Sequence, residues 1–344
     1  MLSHKTENKS QYKWDIVWLN VIGIAYLHLV AIYGLYATLF HASWKTNLHA
    51  FYVALIGSLG ITAGCHRYWC HKSYKAKLPL RLILLYFNSS FFQNCIYVWV
   101  RDHRVHHKFS ETDADPHNSA RGLFFSHMGW LMVKKHPDVL EKGKSVPMDD
   151  LKNDPIVMFQ KKYYFVLMPM FCFILPTLIP WYFWNEDLKT AFYVTMFRYC
   201  YTINLTWCLN SFCHTIGYRP YDKNMKAVQN NLLGPLTIGE GWHNYHHVFP
   251  WDYKASEYMG YGWNLSTGFI DLMAKIGWAY DLKSVSKEMI EKRMLRTGDG
   301  SLAINGKKQI GAETKCYESY LWGWDDVDMI PEEKKDTTRL FQHN

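Results

Sequence analysis

The sequence has no CxxC pair and no regular cysteine spacing. Its eight cysteines (Cys65, Cys70, Cys95, Cys172, Cys200, Cys208, Cys213, Cys316) are scattered, most of them inside apolar stretches. That excludes a small disulfide-stapled fold and predicts reduced thiols on a reducing side of a membrane or in a reducing compartment. Internal repeats and low-complexity tracts are also missing, which sets aside collagen-like and disordered classes. Met1–Lys13 has no short apolar run followed by a small-residue cleavage site, so a cleaved signal peptide is not expected. Charged residues make up only 20% of the 344, with a net charge of +8. Such a balance suits an anionic partner (a membrane surface, a phosphate ligand or an acidic protein) without selecting one.

What is abundant is aromatic and imidazole. There are 15 Trp, 24 Tyr, 19 Phe and 17 His, and 49% of the chain is hydrophobic. The mean hydropathy is nevertheless only −0.21. A chain divided between a membrane part and a large polar part accounts for both values.

Four apolar stretches, roughly Trp14–Phe40, Leu48–Gly64, Tyr163–Trp184 and Thr190–Cys213, approach or exceed the ~20 residues that cross a bilayer core as a helix. Trp14, Trp18, Trp44, Trp181 and Trp184 mark their ends, as interfacial aromatics do. The connections His41–Asn47 and Asn185–Lys189 are short enough to make two hairpins. Those connections hold only Lys45 and Lys189, whereas the N-terminus and the segment from His66 to Lys162 are rich in Lys and Arg. The positive-inside rule therefore puts both termini and the middle segment on the cytosolic side. Leu78–Val100, interrupted by Asn88-Ser-Ser90 and Gln93-Asn94, reads as a helix lying on or dipping into the interface, and Gly122–Val133 as a second. The expected fold is an all-α membrane protein: four transmembrane helices in two hairpins, capped by a helical cytosolic domain. The segments are 1–13 (cytosolic), 14–64 (first hairpin), 65–162 (cytosolic, interfacial helices), 163–214 (second hairpin), 215–298 (cytosolic) and 299–344 (a loosely ordered tail).

Histidines concentrate in three clusters and one isolated position. They are His66-Arg-Tyr-Trp-Cys-His71, His103-Arg-Val-His106-His107, His243-Asn-Tyr-His246-His247, and His214 with Asn210 one helical turn before it. Positions i, i+3 and i+4 share a helix face, so each H-x-x-H-H aims three imidazoles at one point. The i, i+5 pair His66/His71 shares no face on an ideal α-helix; it suits a helix end, or side chains that serve different metals. All nine histidines fall on the cytosolic side of the four-span topology, while His28, His41 and His49 fall in or across the membrane. Nine imidazoles suit two ions with four or five nitrogens each, and imidazole by itself is compatible with iron, zinc, copper or nickel. Closed zinc sites favour thiolates, and the soluble di-iron pattern needs two E-x-x-H motifs where Glu240-x-x-His243 is the one present. His117, His127 and His136 are expected to be structural.

These boxes, with Gly60-Ile-Thr-Ala-Gly64, Arg101–Glu111, Asp115-Pro-His-Asn118 and Gly239–His247, resemble the membrane-bound acyl-CoA desaturases of the stearoyl-CoA type, more narrowly those of insects. The likeness runs over roughly Trp14–Gly300. It implies two irons held by the nine histidines, with Asn210 reaching one iron through water. It further implies that O2 and two electrons remove two hydrogens from adjacent methylenes of a long-chain acyl-CoA, with Δ9 or a related insect regioselectivity such as Δ11. Electrons would come from cytochrome b5 and its NADH-dependent reductase, because no flavin or nicotinamide fingerprint and no His-Pro-Gly-Gly haem motif is present. The endoplasmic reticulum membrane is the implied location, and nucleic acid is not an expected partner. Asp102, Asp113, Asp115 and Glu240 are candidates to orient the imidazoles, Asp115 and Glu240 foremost; Glu111 and Asp252 are expected to be solvated. The resemblance assigns Arg101, Asp102, Asn94, Lys134, Lys135 and Asn20 to the CoA head group, and Gln93, Trp99 and Thr206 to a bent acyl tunnel. Small residues at Ala54 and Ser58 leave the tunnel's far end, and so the preferred chain length, open. In this chain Asp113 occupies a position where the family commonly has histidine, and Arg198 is an intramembrane charge with no visible partner. Two rival functions share these features: a di-iron lipid hydroxylase, and a non-enzymatic membrane metal-binding protein. A transporter would carry its ligands at mid-membrane, whereas the clusters lie outside the spans.

Overall fold

A computed structural model describes residues 13–257, 260–302 and 320–342. Most of the basic N-terminus (1–12) and Cys316 lie outside the described residues; the other seven cysteines are free thiols. The chain is mostly helical. Its long elements are α1 (Trp18–Phe40), α2 (Trp44–Cys70), α3 (Leu78–Ser89), α4 (Ile96–Lys108), the short α5 (Leu123–His127), α6 (Pro155–Trp184) and α7 (Leu188–Ser211). The short α8 (His243–Val248), α9 (Leu265–Lys275) and α10 (Lys287–Thr297) follow.

Among the described residues three helices, α1, α2 and α6, are long and apolar enough to cross a membrane. Their outer faces would be untenable in water. Leu19, Ile22, Leu29, Ile32 and Phe40 of α1, and Phe165, Val166, Tyr182 and Phe183 of α6, are exposed. This is a membrane protein. The fourth expected span, α7, has the length at 24 residues but is less apolar, and it buries Thr195, Arg198 and Thr202.

The hairpins are closed by capping residues. Ser43 caps α2 by accepting from the Thr46 amide, and Asp187 caps α7 by accepting from the Thr190 amide at 2.8 Å. Glu186, between α6 and α7, accepts from the Ser43 amide at 2.9 Å and from the Thr46 hydroxyl, tying the second hairpin to the first. Along their lengths α1 and α7 meet at Gly34, where a Cβ would stand 2.4 Å from the Tyr193 carbonyl oxygen. Only glycine permits that approach.

Several expectations change. Arg198 has a partner: its guanidinium donates to the Cys172 carbonyl. Pro176, four residues on, has no N–H to offer that carbonyl. The stretch Leu78–Val100 is two helices, α3 and α4, with a turn at 90–95; Ser90 caps α3 and Cys95 precedes α4. Gly122–Val133 forms only α5 and one 3₁₀ turn, Gly129–Leu131. The tail also folds where it is described. Strand β4 (Thr337–Leu340) pairs antiparallel with β3 (Leu282–Val285), and Trp322, Asp326 and Met329 are buried. Polar composition without periodicity conceals an irregular segment whose few large side chains are docked. A second two-stranded pairing joins β1 (Lys75–Ala76) to β2 (Ala279–Tyr280).

Candidate metal centre

The second half of α2, Gly60–Cys70, is a π-helix, in which hydrogen bonds run from residue i+5 to i. The His71 amide donates to the His66 carbonyl at 3.0 Å. This winding puts positions five apart over one another, and the two rings lie 4.6 Å apart, centroid to centroid. The H-x4-H spacing therefore belongs to the π-helix and its end at His71, as a helix end was expected to suit, and both side chains stand in one group rather than two.

Helix α4 contributes His103, His106 and His107, α8 contributes His243, His246 and His247, and the 3₁₀ turn Phe212–His214 after α7 contributes His214. The nine imidazoles form two groups. His66, His71, His103, His107 and His246 make one, and His106, His214, His243 and His247 the other, with ligand atoms within 4.8 Å of one another in each. Neither H-x-x-H-H aims at one point, as expected above. Each sends its first and last histidine to one group and its middle one to the other. At 3.6 residues per turn, positions i and i+4 lie about 40° apart, while i+3 lies about 60° to the other side of i.

Within each group ring nitrogens face ring nitrogens. Nε2 of His246 is 2.9 Å from Nε2 of His66 and 3.0 Å from that of His107. Nε2 of His243 is 3.0 Å from those of both His214 and His247. Two nitrogens bound side by side on one cation at about 2.1 Å are themselves about 3 Å apart, so the separations fit metal ligation. Burial, followed by mutual repulsion, holds His71, His103, His107, His243, His246 and His247 well below the ordinary imidazole range. They are neutral with free lone pairs, the state a metal requires. Buried nitrogens without a partner, such as Nε2 of His71 and of His103, point the same way.

Carboxylates and one carbonyl hold the outer nitrogens. Nδ1 of His66 lies 3.0 Å from a Glu240 carboxylate oxygen, Nδ1 of His106 bonds Asp115 at 2.9 Å, Nδ1 of His214 bonds Glu111 at 2.8 Å, and Nδ1 of His71 donates to the Trp322 carbonyl. Burial alone would raise the Glu240 carboxyl, but Arg67 and His66 bring it down to about 2. Asp115, equally buried, is also held far below its usual range, by His106 and His117. Arg67 is itself buried; it donates to Glu240 at 2.8 Å and to the Tyr253 carbonyl at 2.9 Å.

Three carboxylate expectations are corrected. Glu111 is not solvated: a left-handed backbone at φ 63° turns it onto His214 and the Ser119 hydroxyl. Asp252 is buried, accepting from the Tyr245 hydroxyl and the Val285 amide, where it serves packing. Asp113 pairs with Arg121 at the surface and stands with His136 and Asp138, outside both groups of the nine imidazoles. Of the three histidines set aside, His117 lies 4.3 Å from the His106 ring, with its amide on Asp115. His127 bridges Ser211 and Asn204, and His136 caps the following helix. Sequence reading missed Arg67, Glu111 and Trp322. The first two sit inside or beside recognised motifs and could have been flagged; a main-chain carbonyl some 250 residues away could not.

A cavity of about 470 Å³ opens beside the five-histidine group, lined by Asn20, Gln93, Asn94, Trp99, Asp102, Thr206 and Asn210 together with His103 and His117. The Gln93 amide donates to the Thr206 hydroxyl at 2.9 Å, the Trp99 indole donates to Gln93 at 3.3 Å, and the Trp99 ring stacks on His103 at 4.7 Å. A smaller cavity of about 70 Å³ continues past this point and shares Trp99, His103, Thr206 and Asn210; Ser58 and Leu236 line it further on. Ala54 is absent from both linings. Arg101 and Lys135 converge on Asp102, while Lys134 is exposed and pairs with Asp15 at 3.2 Å.

The sequence pattern of the fatty acid desaturase family matches residues 42–258. An acyl-CoA Delta-9 desaturase of Acheta domesticus is 54% identical over 326 residues, covering 94% of this chain and 86% of the relative. An acyl-CoA Delta-12 desaturase of Tribolium castaneum is 52% identical, covering 96% of this chain and 94% of its own. Stearoyl-CoA desaturase 5 of Bos taurus is 53% identical, covering 84% and 86%. This chain therefore belongs to the fatty acid desaturase family.

Proposed function

We propose that the chain is an acyl-CoA desaturase of the insect type, which inserts a double bond into a saturated long-chain acyl-CoA with O2 and two electrons from cytochrome b5. The observation that carries this reading is the adjacency of the two imidazole groups to a largely apolar cavity and its smaller neighbour. When bound, two irons supply the oxidant that takes hydrogen from two neighbouring methylenes, which carry no acidic proton for a base to remove.

The nine histidines are the proposed ligands, five for one iron and four for the other. Asn210, in the cavity wall beside His103, reaches an iron through water. Glu240, Asp115 and Glu111 fix the ring orientations by accepting from outer nitrogens. Ile24, Leu27, Phe92 and Ile203 exclude water around the acyl chain. The Gln93–Thr206 and Trp99–Gln93 bonds hold the cavity wall in one shape, so that a single pair of methylenes lies beside the metals. Arg101 and Lys135, gathered on Asp102, supply charge for the CoA phosphates, with Asn20 and Asn94 as polar neighbours and Lys134 outside them. In this reading α7 is the fourth span, the histidines cap the cytosolic side, both termini are cytosolic, and the membrane is that of the endoplasmic reticulum.

Expression in yeast lacking its own desaturase, followed by fatty-acid profiling, tests the proposal. A new monounsaturated acid is the expected product. A hydroxylated acid would favour a lipid hydroxylase, and no product despite membrane expression and cytochrome b5 would count against both enzymes.

A further inference from the structure

The segment after residue 319 contributes to the metal centre through its main chain. His71 is the residue at which α2 ends, so helix geometry alone does not fix its ring. Two bonds from the distant segment do so: the His71 ring donates to the Trp322 carbonyl, and the Trp324 amide donates to the His71 carbonyl at 3.0 Å. Gly323 lies between them against His71, where a Cβ would stand 2.6 Å from the His71 carbonyl oxygen.

The segment is anchored on both sides of this contact. Asp326 is buried; it accepts from the Trp322 amide at 2.7 Å and from the Lys108 ammonium at 2.7 Å. Lys108 directly follows His107 on α4. The Trp322 indole lies 4.2 Å from the Arg104 guanidinium, which Asp150 holds at 2.7 Å. The anchors thus sit on His71 and on the α4 turn that carries His103, His106 and His107. His71, His103 and His107 belong to the five-histidine group, and His106 to the other. In the four-histidine group the outer nitrogens of His106 and His214 are held by Asp115 and Glu111 instead.

We propose that Trp322–Asp328 is a strap that positions His71 and keeps the five-histidine group closed, so that its loss empties that group before the four-histidine group. This rests on the two-iron reading above. Trp322 and Asp326 are positioning residues that act through the His71 ring and through Lys108.

The test uses the full chain purified in detergent and its Asp326→Ala and Trp322→Phe variants. Metal per chain and the rate of iron release to a ferrous chelator are measured beside thermal unfolding. The wild type should hold two irons. Asp326→Ala should hold about one, with release of the first ion about tenfold faster. Trp322→Phe keeps the carbonyl and an aromatic face for Arg104 and should stay near two. Asp326→Ala with two irons released at the wild-type rate would overturn the strap while leaving the two-iron reading intact. So would equal loss of both irons alongside a lowered unfolding temperature, which marks a structural role. A wild-type chain that takes up no iron overturns the site reading, and the strap with it.

Discussion

Nε2 of His107 lies 3.0 Å from Nε2 of His246, although 139 residues separate them. The contact crosses motifs: the last histidine of one H-x-x-H-H meets the middle histidine of the other. Two similar helical triplets thus lock into two mixed groups, neither of which either triplet could form alone.

The crossing makes a prediction that parallel triplets would not. His246→Ala should lower activity below detection while the His243 group keeps its iron, and His247→Ala should do the reverse. Both variants should therefore hold about one iron per chain. Metal analysis of the purified proteins checks this, and loss of both irons in each variant would contradict two separable groups.

Glu111 offers a test of ring orientation. Burial would raise its carboxyl, but the bond and charge of His214 hold it below the usual range, so it stays an anionic acceptor. Glu111→Gln should reduce activity or iron affinity by about 10- to 100-fold. A solvated glutamate at this position would give wild-type behaviour.

The cavity wall offers a test of regiochemistry. Thr206→Val removes the hydroxyl that receives the Gln93 amide at almost unchanged volume. The expected outcome is a mixture of double-bond positions where wild type gives one, read by mass spectrometry of derivatised fatty acids. A single unchanged position would show that the bond does not fix where the chain lies.

The polar cluster around Asp281 and Lys283 gives a pH dependence away from the metals. Burial, opposed by Asp281, brings Lys283 from 10.5 down to about 8. Between about pH 8 and 10.5 the unfolded chain binds the extra proton, so stability rises with pH there. Relative to Lys283→Met, the wild type should gain up to about 3 kcal/mol across that window. Asp281, which burial would raise, is pulled down to about 2 by Arg339, Lys283 and Lys75. Its contribution is present above about pH 4 and fades as pH falls toward 2. Thermal unfolding of wild type, Lys283→Met and Asp281→Asn across pH checks both ends.

Three of the four expected spans and the histidine clusters were legible in sequence, because a span needs only length and apolarity and the clusters stand out by their residue type. Asp115 and Glu240 were legible for the same local reason, lying within a few residues of the clusters they serve. How the histidines divide was decided by tertiary structure, since it depends on how α4 and α8 face one another. The π-winding of Gly60–Cys70 was also invisible; spacing alone says that residues five apart diverge, and only packed neighbours can hold the wider turn. Most hidden was the tail, whose composition reads as unstructured. The bond of its Trp322 carbonyl to His71 was not legible, because a main-chain acceptor carries no side-chain signature and only the folded path of the chain brings it there.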